Sequence, residues 1–152
     1  MNEVVIVEAG RSAVGKRNGS LAGAHPADVL GPVMMEVLSR AGVDSSQVGQ
    51  VVGGCINKVG AQAMNITRTA WLSHGGDENV ACTTIDAQCG SSQQAVNTAH
   101  ALIASGVEDE VGHAGREFHR PRPQADRPCL LADEVAVLDH AVHGPVVAAV
   151  AA

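Results

Sequence analysis

Aromatic residues are almost missing from this chain of 152 residues, which has one Trp, one Phe and no Tyr. Its interior must be assembled from Ala, Val, Ile and Leu, with few large anchoring rings. Positive charge is also scarce: 10 Lys and Arg stand against 16 Asp and Glu, for a formal charge of -6. That balance excludes a general nucleic-acid or anionic-membrane footprint, so neither is an expected partner. No apolar run approaches the roughly 18 residues that a membrane helix needs. The closing Ala141 to Ala152 is apolar but short, and His143, Gly144 and Pro145 interrupt it. No basic stretch followed by an apolar block opens the chain, so no signal peptide and a cytoplasmic location are expected. The four cysteines, Cys55, Cys82, Cys89 and Cys129, form no Cys-x-x-Cys pair and no metal-ligand spacing. No metal is therefore expected, and free thiols in a reducing compartment are the simplest account.

What is present reads as one domain with a moderate core: 45% hydrophobic and 17% charged residues. Val4 to Val7 is a continuous apolar run, the pattern of a strand covered on both faces. Glu8 to Ala24 is a loop; its glycines and basic residues lack the Gly-x4-Gly-Lys-Ser/Thr spacing of a phosphate cradle and suit a solvated connection. A helix opens at His25-Pro26-Ala27-Asp28, with Val29, Leu30, Val33, Val37, Leu38 and Ala41 on its apolar face and Gly42 as its stop. Pro32 must bend it or mark where its regular part begins, and His25 belongs to the lead-in loop. Val48 to Cys55 reads as the second strand, with glycines permitting close backbone approach. Gln62 to His74 reads as a helix whose Ala63, Ile66, Ala70 and Trp71 face inward, with Gly75-Gly76 as its stop. Asn65 and Arg68 lie three apart on another face. Cys82 to Ile85 is the third strand. Strand–helix alternation three times over indicates an α/β unit with crossover connections.

The most informative stretch is Thr83-Thr84-Ile85-Asp86-Ala87-Gln88-Cys89-Gly90-Ser91-Ser92-Gln93-Gln94-Ala95. A β-branched run stops at a polar corner. From Gly90 a helical pattern follows, with Ala95, Val96, Ala99, Leu102 and Ile103 on one face and Gly106 as the stop. Cys89 thus falls on a strand-to-helix turn, where unpaired N–H groups and the helix macrodipole favour a thiolate, the nucleophile of covalent catalysis. The small Gly90, Ser91 and Ser92 would let a substrate approach the sulfur and leave N–H groups to face a developing oxyanion. The competing reading is general: a lone cysteine most often serves as a small buried hydrophobe.

Cys-Gly-Ser-Ser-x-Gln-Ala after a strand ending in Asp resembles the acyl-accepting cysteine segment of the thiolases, which include acetyl-CoA acetyltransferases and 3-ketoacyl-CoA thiolases. Further stretches are similar and stand in the same order: Val4-Val5-Ile6-Val7, Arg11-Ser12-Ala13-Val14-Gly15, Gly19-Ser20-Leu21, Ala27-Asp28-Val29-Leu30-Gly31, Val51-Val52-Gly53-Gly54-Cys55, Gly60-Ala61-Gln62-Ala63-Met64-Asn65 and Arg68. The resemblance runs from about Val4 to Glu110. It implies an α/β fold, the N-terminal part of a thiolase-like αβαβα architecture in which two similar halves pack as five layers. It implies Cys89 as the acyl-thioester nucleophile, with its own backbone N–H in an oxyanion hole. It also implies acyl transfer between an acyl-CoA or 3-ketoacyl-CoA and CoA or acetyl-CoA. Coenzyme A thioesters are then substrates, and no bound cofactor is implied. The full-length family implies a homo-oligomer; for this chain, self-association or a complementing chain is expected. Gln93-Gln94 resembles thiolases acting on bulky or steroid-derived acyl esters.

The resemblance divides the chain into a partial thiolase N-terminal domain over residues 1–110 and a divergent, partly disordered tail over 111–152. Arg, His and Pro fill Arg116 to Pro128, poor sheet material, while Leu131 to His140 could form a short helix. The change of composition suggests a junction with unrelated coding sequence, leaving the sheet edge beyond the Cys89 helix unpaired. Three family motifs are absent from this sequence: the His of Gly-His-Pro, the second Cys of Cys-x-Gly and the Asn of Asn-Glu-Ala-Phe. His143-Gly144-Pro145 has the wrong order, and Pro128-Cys129-Leu130 lacks the glycine. His74, His100, His113, His119 and His140 read as surface residues. The expectation is an acyltransferase fragment inactive by itself. The alternatives are a non-enzymatic remnant or subunit-interaction fragment and, more remotely, a Cys89 thiol sensor.

Overall fold

The structure is a computed structural model that describes residue 4 and residues 6–105, with two further strands, Cys129–Ala132 and Ala148–Ala151, described by their backbone. The first strand, β1, is Ile6–Gly10, and a long helix, α1, follows at Pro26–Ala41. Pro26 occupies the first turn, where a missing N–H costs nothing, and the His25 ring nitrogen Nδ1 accepts from the Ala27 N–H at 3.2 Å. His25 is therefore a helix cap. Pro32 lies inside α1 on its exposed side, and the helix runs on through it to Gly42 in the left-handed conformation.

A 3-10 turn at Ser45–Gln47 is closed by a reciprocal capping box with Asp44 and leads to β2, Gln50–Gly54. Gly60–Gln62 forms another 3-10 turn. Helix α2 begins only at Ile66 and ends at Ser73, later than the apolar spacing from Gln62 suggests. The cause is local: Met64 has φ +64°, which no helix accommodates, and Asn65 caps the helix by accepting from the Arg68 N–H at 3.0 Å. Ala63 is consequently exposed, while Ile66, Ala70 and Trp71 are buried as expected. Strand β3 is Ala81–Ile85 and helix α3 is Ser91–Ser105. Strands β4, Cys129–Ala132, and β5, Ala148–Ala151, complete the sheet.

The strand order is β1-β5-β4-β2-β3. β2 runs parallel to β3 and to β4, whereas β5 is antiparallel to both β4 and β1. The alternation of strands and helices gives the expected α/β fold, but β1 and β2 are not neighbours. β4 pairs Val51 with Leu130, and β5 pairs Gly10 with Ala148, so two segments of the expected tail fill the centre of the sheet. Leu131 and Ala132 are strand where a helix was expected. The remaining expectations for the tail, including disorder over residues 116–128, fall outside the described residues, as do Gly106, His113, His119 and His140.

Side chains of β2 alternate between two apolar clusters. Val51 joins Leu30, Met34, Val37, Ile66, Ala70 and Trp71 under α1 and α2, while Val52 joins Ala95, Ala99 and Ile103 under α3. The result is a sheet with α1 and α2 on one face and α3 on the other. Each fully buried Leu, Ile or Val contributes about 1.5–3 kcal/mol relative to exposure. The helices α1 and α2 meet closely at Gly31, where an added Cβ would stand 2.2 Å from the His74 ring. His74 is thereby partly buried, against the expectation of a surface residue. Ile6 and Val7 of β1 are exposed, against the reading of a strand covered on both faces, and Thr83 of β3 is exposed as well. Both are edge strands, and the apolar run at β1 has a helix against only part of it.

Candidate active site

Strand β3 ends at Ile85, and four residues later the chain reaches Cys89, which is exposed. Between them the backbone turns sharply. Gln88 has φ +54°, a left-handed conformation that a residue with a Cβ adopts only when its surroundings hold it there. Several hydrogen bonds do so. The Gln88 N–H donates to Asp86 Oδ1 at 3.2 Å, and the Gly90 N–H donates to the Ala87 carbonyl at 3.1 Å. The Ser91 N–H donates to the Gln88 carbonyl at 3.0 Å. The Ser91 hydroxyl adds two more, donating to the Gln88 carbonyl at 2.6 Å and accepting from the Ala87 N–H at 3.0 Å. Ser91 is fully buried, so its side chain belongs to the scaffold of the turn and does not open space for a substrate. That corrects the expectation for this position.

The first turn of α3 is seated on the end of β2. A Cβ added at Gly54 would lie 2.5 Å from the Ser91 carbonyl carbon and the Ser92 nitrogen, so only glycine admits this approach. The Cys55 N–H donates to the Ile85 carbonyl at 2.9 Å, continuing the β2–β3 pairing up to the turn. Among the described residues, the N–H groups of Cys89, Ser92 and Gln93 make no hydrogen bond. An exposed sulfur thus stands beside unbonded backbone donors at a helix start. Such donors can hold an anionic oxygen where it forms.

Cys55 and Cys82 differ from Cys89. Cys55 is buried in the core beneath α1 and α2. Cys82 on β3 is half-buried, and burial pushes its thiol up to about 11, against a smaller opposing effect of the nearby Arg68 guanidinium. Cys82 is therefore a poor nucleophile at neutral pH. Among the described residues no group of three or more His, Cys, Asp or Glu is arranged to hold a metal ion, and no helix is long and apolar enough to cross a membrane.

Asn65 and Arg68 have a structural role. Asn65 Oδ1 accepts from the Thr84 hydroxyl at 2.7 Å, and its Nδ2 donates to the Cys82 carbonyl at 2.9 Å. The Thr67 hydroxyl lies 2.8 Å from that of Thr84. Arg68 donates to the Val80 carbonyl and, at 2.8 Å, to the Glu78 carbonyl, binding the approach to β3. This network ties α2 to β3 and so fixes the strand that carries the Cys89 turn. Sequence reasoning did not identify Thr67, Thr84 or the Ser91 hydroxyl. Their types are common in strands and helix starts, and their partners are revealed only by packing.

Comparison with known proteins agrees with this geometry. The family model described as the thiolase N-terminal domain matches residues 4–130, past Glu110 where the motif resemblance stops. A steroid 3-ketoacyl-CoA thiolase of Mycobacterium tuberculosis is 43% identical over 115 residues, covering 76% of this chain and 28% of that protein. A 3-ketoacyl-CoA thiolase of Acinetobacter baumannii is 34% identical over 122 residues, covering 74% of this chain and 31% of that protein. Among solved structures, the Bacillus anthracis acetyl-CoA acetyltransferase superposes with a TM-score of 0.69 at 30% identity, over 88% of this chain and 29% of that one. The chain thus spans less than a third of the length of these relatives. With its three-layer fold, its exposed cysteine turn and these similarities, the chain belongs to the thiolase family, through that family's N-terminal domain.

Proposed function

We propose that this chain supplies the acyl-accepting half-site of a thiolase, with Cys89 as the residue that takes the acyl group from a coenzyme A thioester. The observation that carries the reading is the exposure of Cys89 on a rigidly bonded strand-to-helix turn, in a chain of this family. In the step proposed, the Cys89 sulfur, as thiolate, attacks the thioester carbonyl carbon and a new C–S bond forms. The carbonyl oxygen takes up the negative charge beside the unbonded N–H groups at the helix start, that of Cys89 first among them. The C–S bond to CoA then breaks, and CoA leaves as its thiolate, leaving Cys89 acylated.

Return of the acyl group to CoA, or to the carbanion of a second acyl-CoA, requires a base and an acid beyond Cys89. The three motifs that carry those groups in the family are absent from this sequence, so turnover requires them from further chain. Removing members of a catalytic set that acts as a unit typically costs on the order of 10³ or more in rate. The proposed substrates are acyl-CoA or 3-ketoacyl-CoA esters. The likeness to a steroid 3-ketoacyl-CoA thiolase favours bulky acyl groups. Free CoA thiol released on mixing the chain with acetyl-CoA, or with a bulky acyl-CoA, tests the reading. One equivalent per chain supports it, and equal release from Cys89→Ala overturns it.

A second reading is a non-catalytic interaction fragment, and one observation favours it. Ile6 and Val7 on the edge strand β1 are exposed, as are Val14, Val59 and Met64. Exposed apolar side chains on an edge strand favour association with another chain. Under that reading the chain self-associates or joins a complementing chain without forming an acyl-enzyme.

A further inference from the structure

We propose that Ser91 is the positioning residue of the Cys89 turn, acting through its side-chain hydroxyl; this rests on the reading of Cys89 as an acyl acceptor. The hydroxyl is buried and has both hydrogen-bonding roles filled within the turn: it donates to the Gln88 carbonyl at 2.6 Å and accepts from the Ala87 N–H at 3.0 Å. The Gln88 carbonyl also accepts from the Ser91 N–H at 3.0 Å. An amide oxygen has two lone pairs, so this one is fully used. Gln88 precedes the helix, which begins at Ser91, so the N–H groups of the first turn of α3 have no helical acceptor. The Ser92 N–H, like that of Gln93, is one of those first-turn donors and stays unbonded among the described residues. The Ser91 hydroxyl also holds Gln88 at φ +54°, the conformation that brings Cys89 to the head of the helix.

One side chain therefore pins the turn on both sides of Gln88, and with it the direction in which the unbonded N–H groups beside the sulfur point. Gly54 supports it from below, since the backbone of Ser91 and Ser92 rests where a Cβ at Gly54 would be. The consequence is specific. Attack on a carbonyl develops an oxyanion that needs aligned N–H donors. Alkylation by iodoacetamide expels iodide from a tetrahedral carbon and develops no such oxyanion. Loss of the hydroxyl must therefore slow the first reaction and spare the second.

The test uses the full chain and two acyl donors, p-nitrophenyl acetate and acetyl-CoA, with iodoacetamide as the control, each adduct mapped to Cys89 by mass spectrometry. With p-nitrophenyl acetate, the Cys89 thiolate forms a C–S bond to the carbonyl carbon, and the C–O bond breaks to release p-nitrophenolate. Ser91→Ala is expected to slow this acylation about tenfold, the effect of one lost hydrogen bond, with iodoacetamide alkylation within about twofold of the unaltered chain. Ser91→Thr, which keeps a hydroxyl, is expected to restore it. Should Ser91→Ala fail to fold by circular dichroism, Ser91→Cys replaces the hydroxyl with a weak hydrogen-bonding group of similar size. Equal slowing of both reactions, or of neither, overturns the proposal. Ser91-dependent acylation by the ester without any by acetyl-CoA overturns the proposed function but supports the role of Ser91. Acylation by both donors that ignores Ser91 does the reverse.

Discussion

The Gly54 α-carbon and the Ser91 backbone meet so closely that a single added methyl group at Gly54 would stand 2.5 Å from the Ser91 carbonyl carbon. This contact joins the end of the central strand β2 to the start of α3, and it fixes the height at which the Cys89 turn sits above the sheet. Gly54→Ala must push α3 away, because backbone atoms cannot swing aside as a flexible side chain does. A loss of about 1–3 kcal/mol is expected from overpacking, seen as a lower urea midpoint. Cys89 acylation should fall with it. A midpoint equal to that of the unaltered chain would show that the helix is not seated as described.

The Asn65–Thr84 bond at 2.7 Å gives a second expectation. Asn65→Ala removes the cap of α2 and takes one partner from each of the Cys82 carbonyl and the Thr84 hydroxyl, which keeps its contact with Thr67. The combined cost is about 2–4 kcal/mol. Thr84→Val keeps the shape, removes only the hydroxyl and should cost about 1–2 kcal/mol. Chemical denaturation of the two variants should rank them in that order, and the reverse order would contradict the hub role of Asn65.

Cys82 predicts a pH dependence of stability. Burial raises its thiol from 9.0 to about 11 in the folded chain, so an unfolded chain loses this proton first as pH rises. The stabilisation is fully present below about pH 9 and is lost as pH climbs through about 11. Its size is about 2 kcal/mol, from the linkage of one pKa unit to 1.36 kcal/mol and with allowance for partial exposure. Urea melts of Cys82→Ala and the unaltered chain at pH 8 and pH 11 should show the slope weakened in the variant. An unchanged slope would remove Cys82 as its source.

The turn that carries Cys89 was legible in the sequence because two clear periodicities flank it: the β-branched run ending at Ile85 and the apolar face from Ala95 to Ile103. Gly53-Gly54 likewise signalled a close backbone approach, realised at Gly54. The places of β4 and β5 were not legible. Segments of four residues such as Cys129–Ala132 and the Ala-rich Ala148–Ala151 are too short to distinguish strand from helix by spacing. Only their pairing with β2 and β1, far away in the chain, makes them strands. The start of α2 was misread for a similar reason: apolar spacing continues back to Gln62, but the left-handed Met64 interrupts the backbone. Edge exposure of Ile6 and Val7 was hidden because a continuous apolar run looks the same at the edge of a sheet as at its centre.

The central claim is that Cys89, and no other cysteine of this chain, accepts an acyl group. Peptide mapping after brief incubation of the 152-residue chain with acetyl-CoA tests it most directly, with all four cysteines read separately. The account predicts an acetyl thioester on the Cys89 peptide, removed by hydroxylamine and absent from Cys89→Ala. It also predicts none on Cys55, which is buried, or on Cys82, whose thiol stays protonated at neutral pH. Acylation of Cys55 or Cys82 ahead of Cys89, or an adduct that persists in Cys89→Ala, would contradict it.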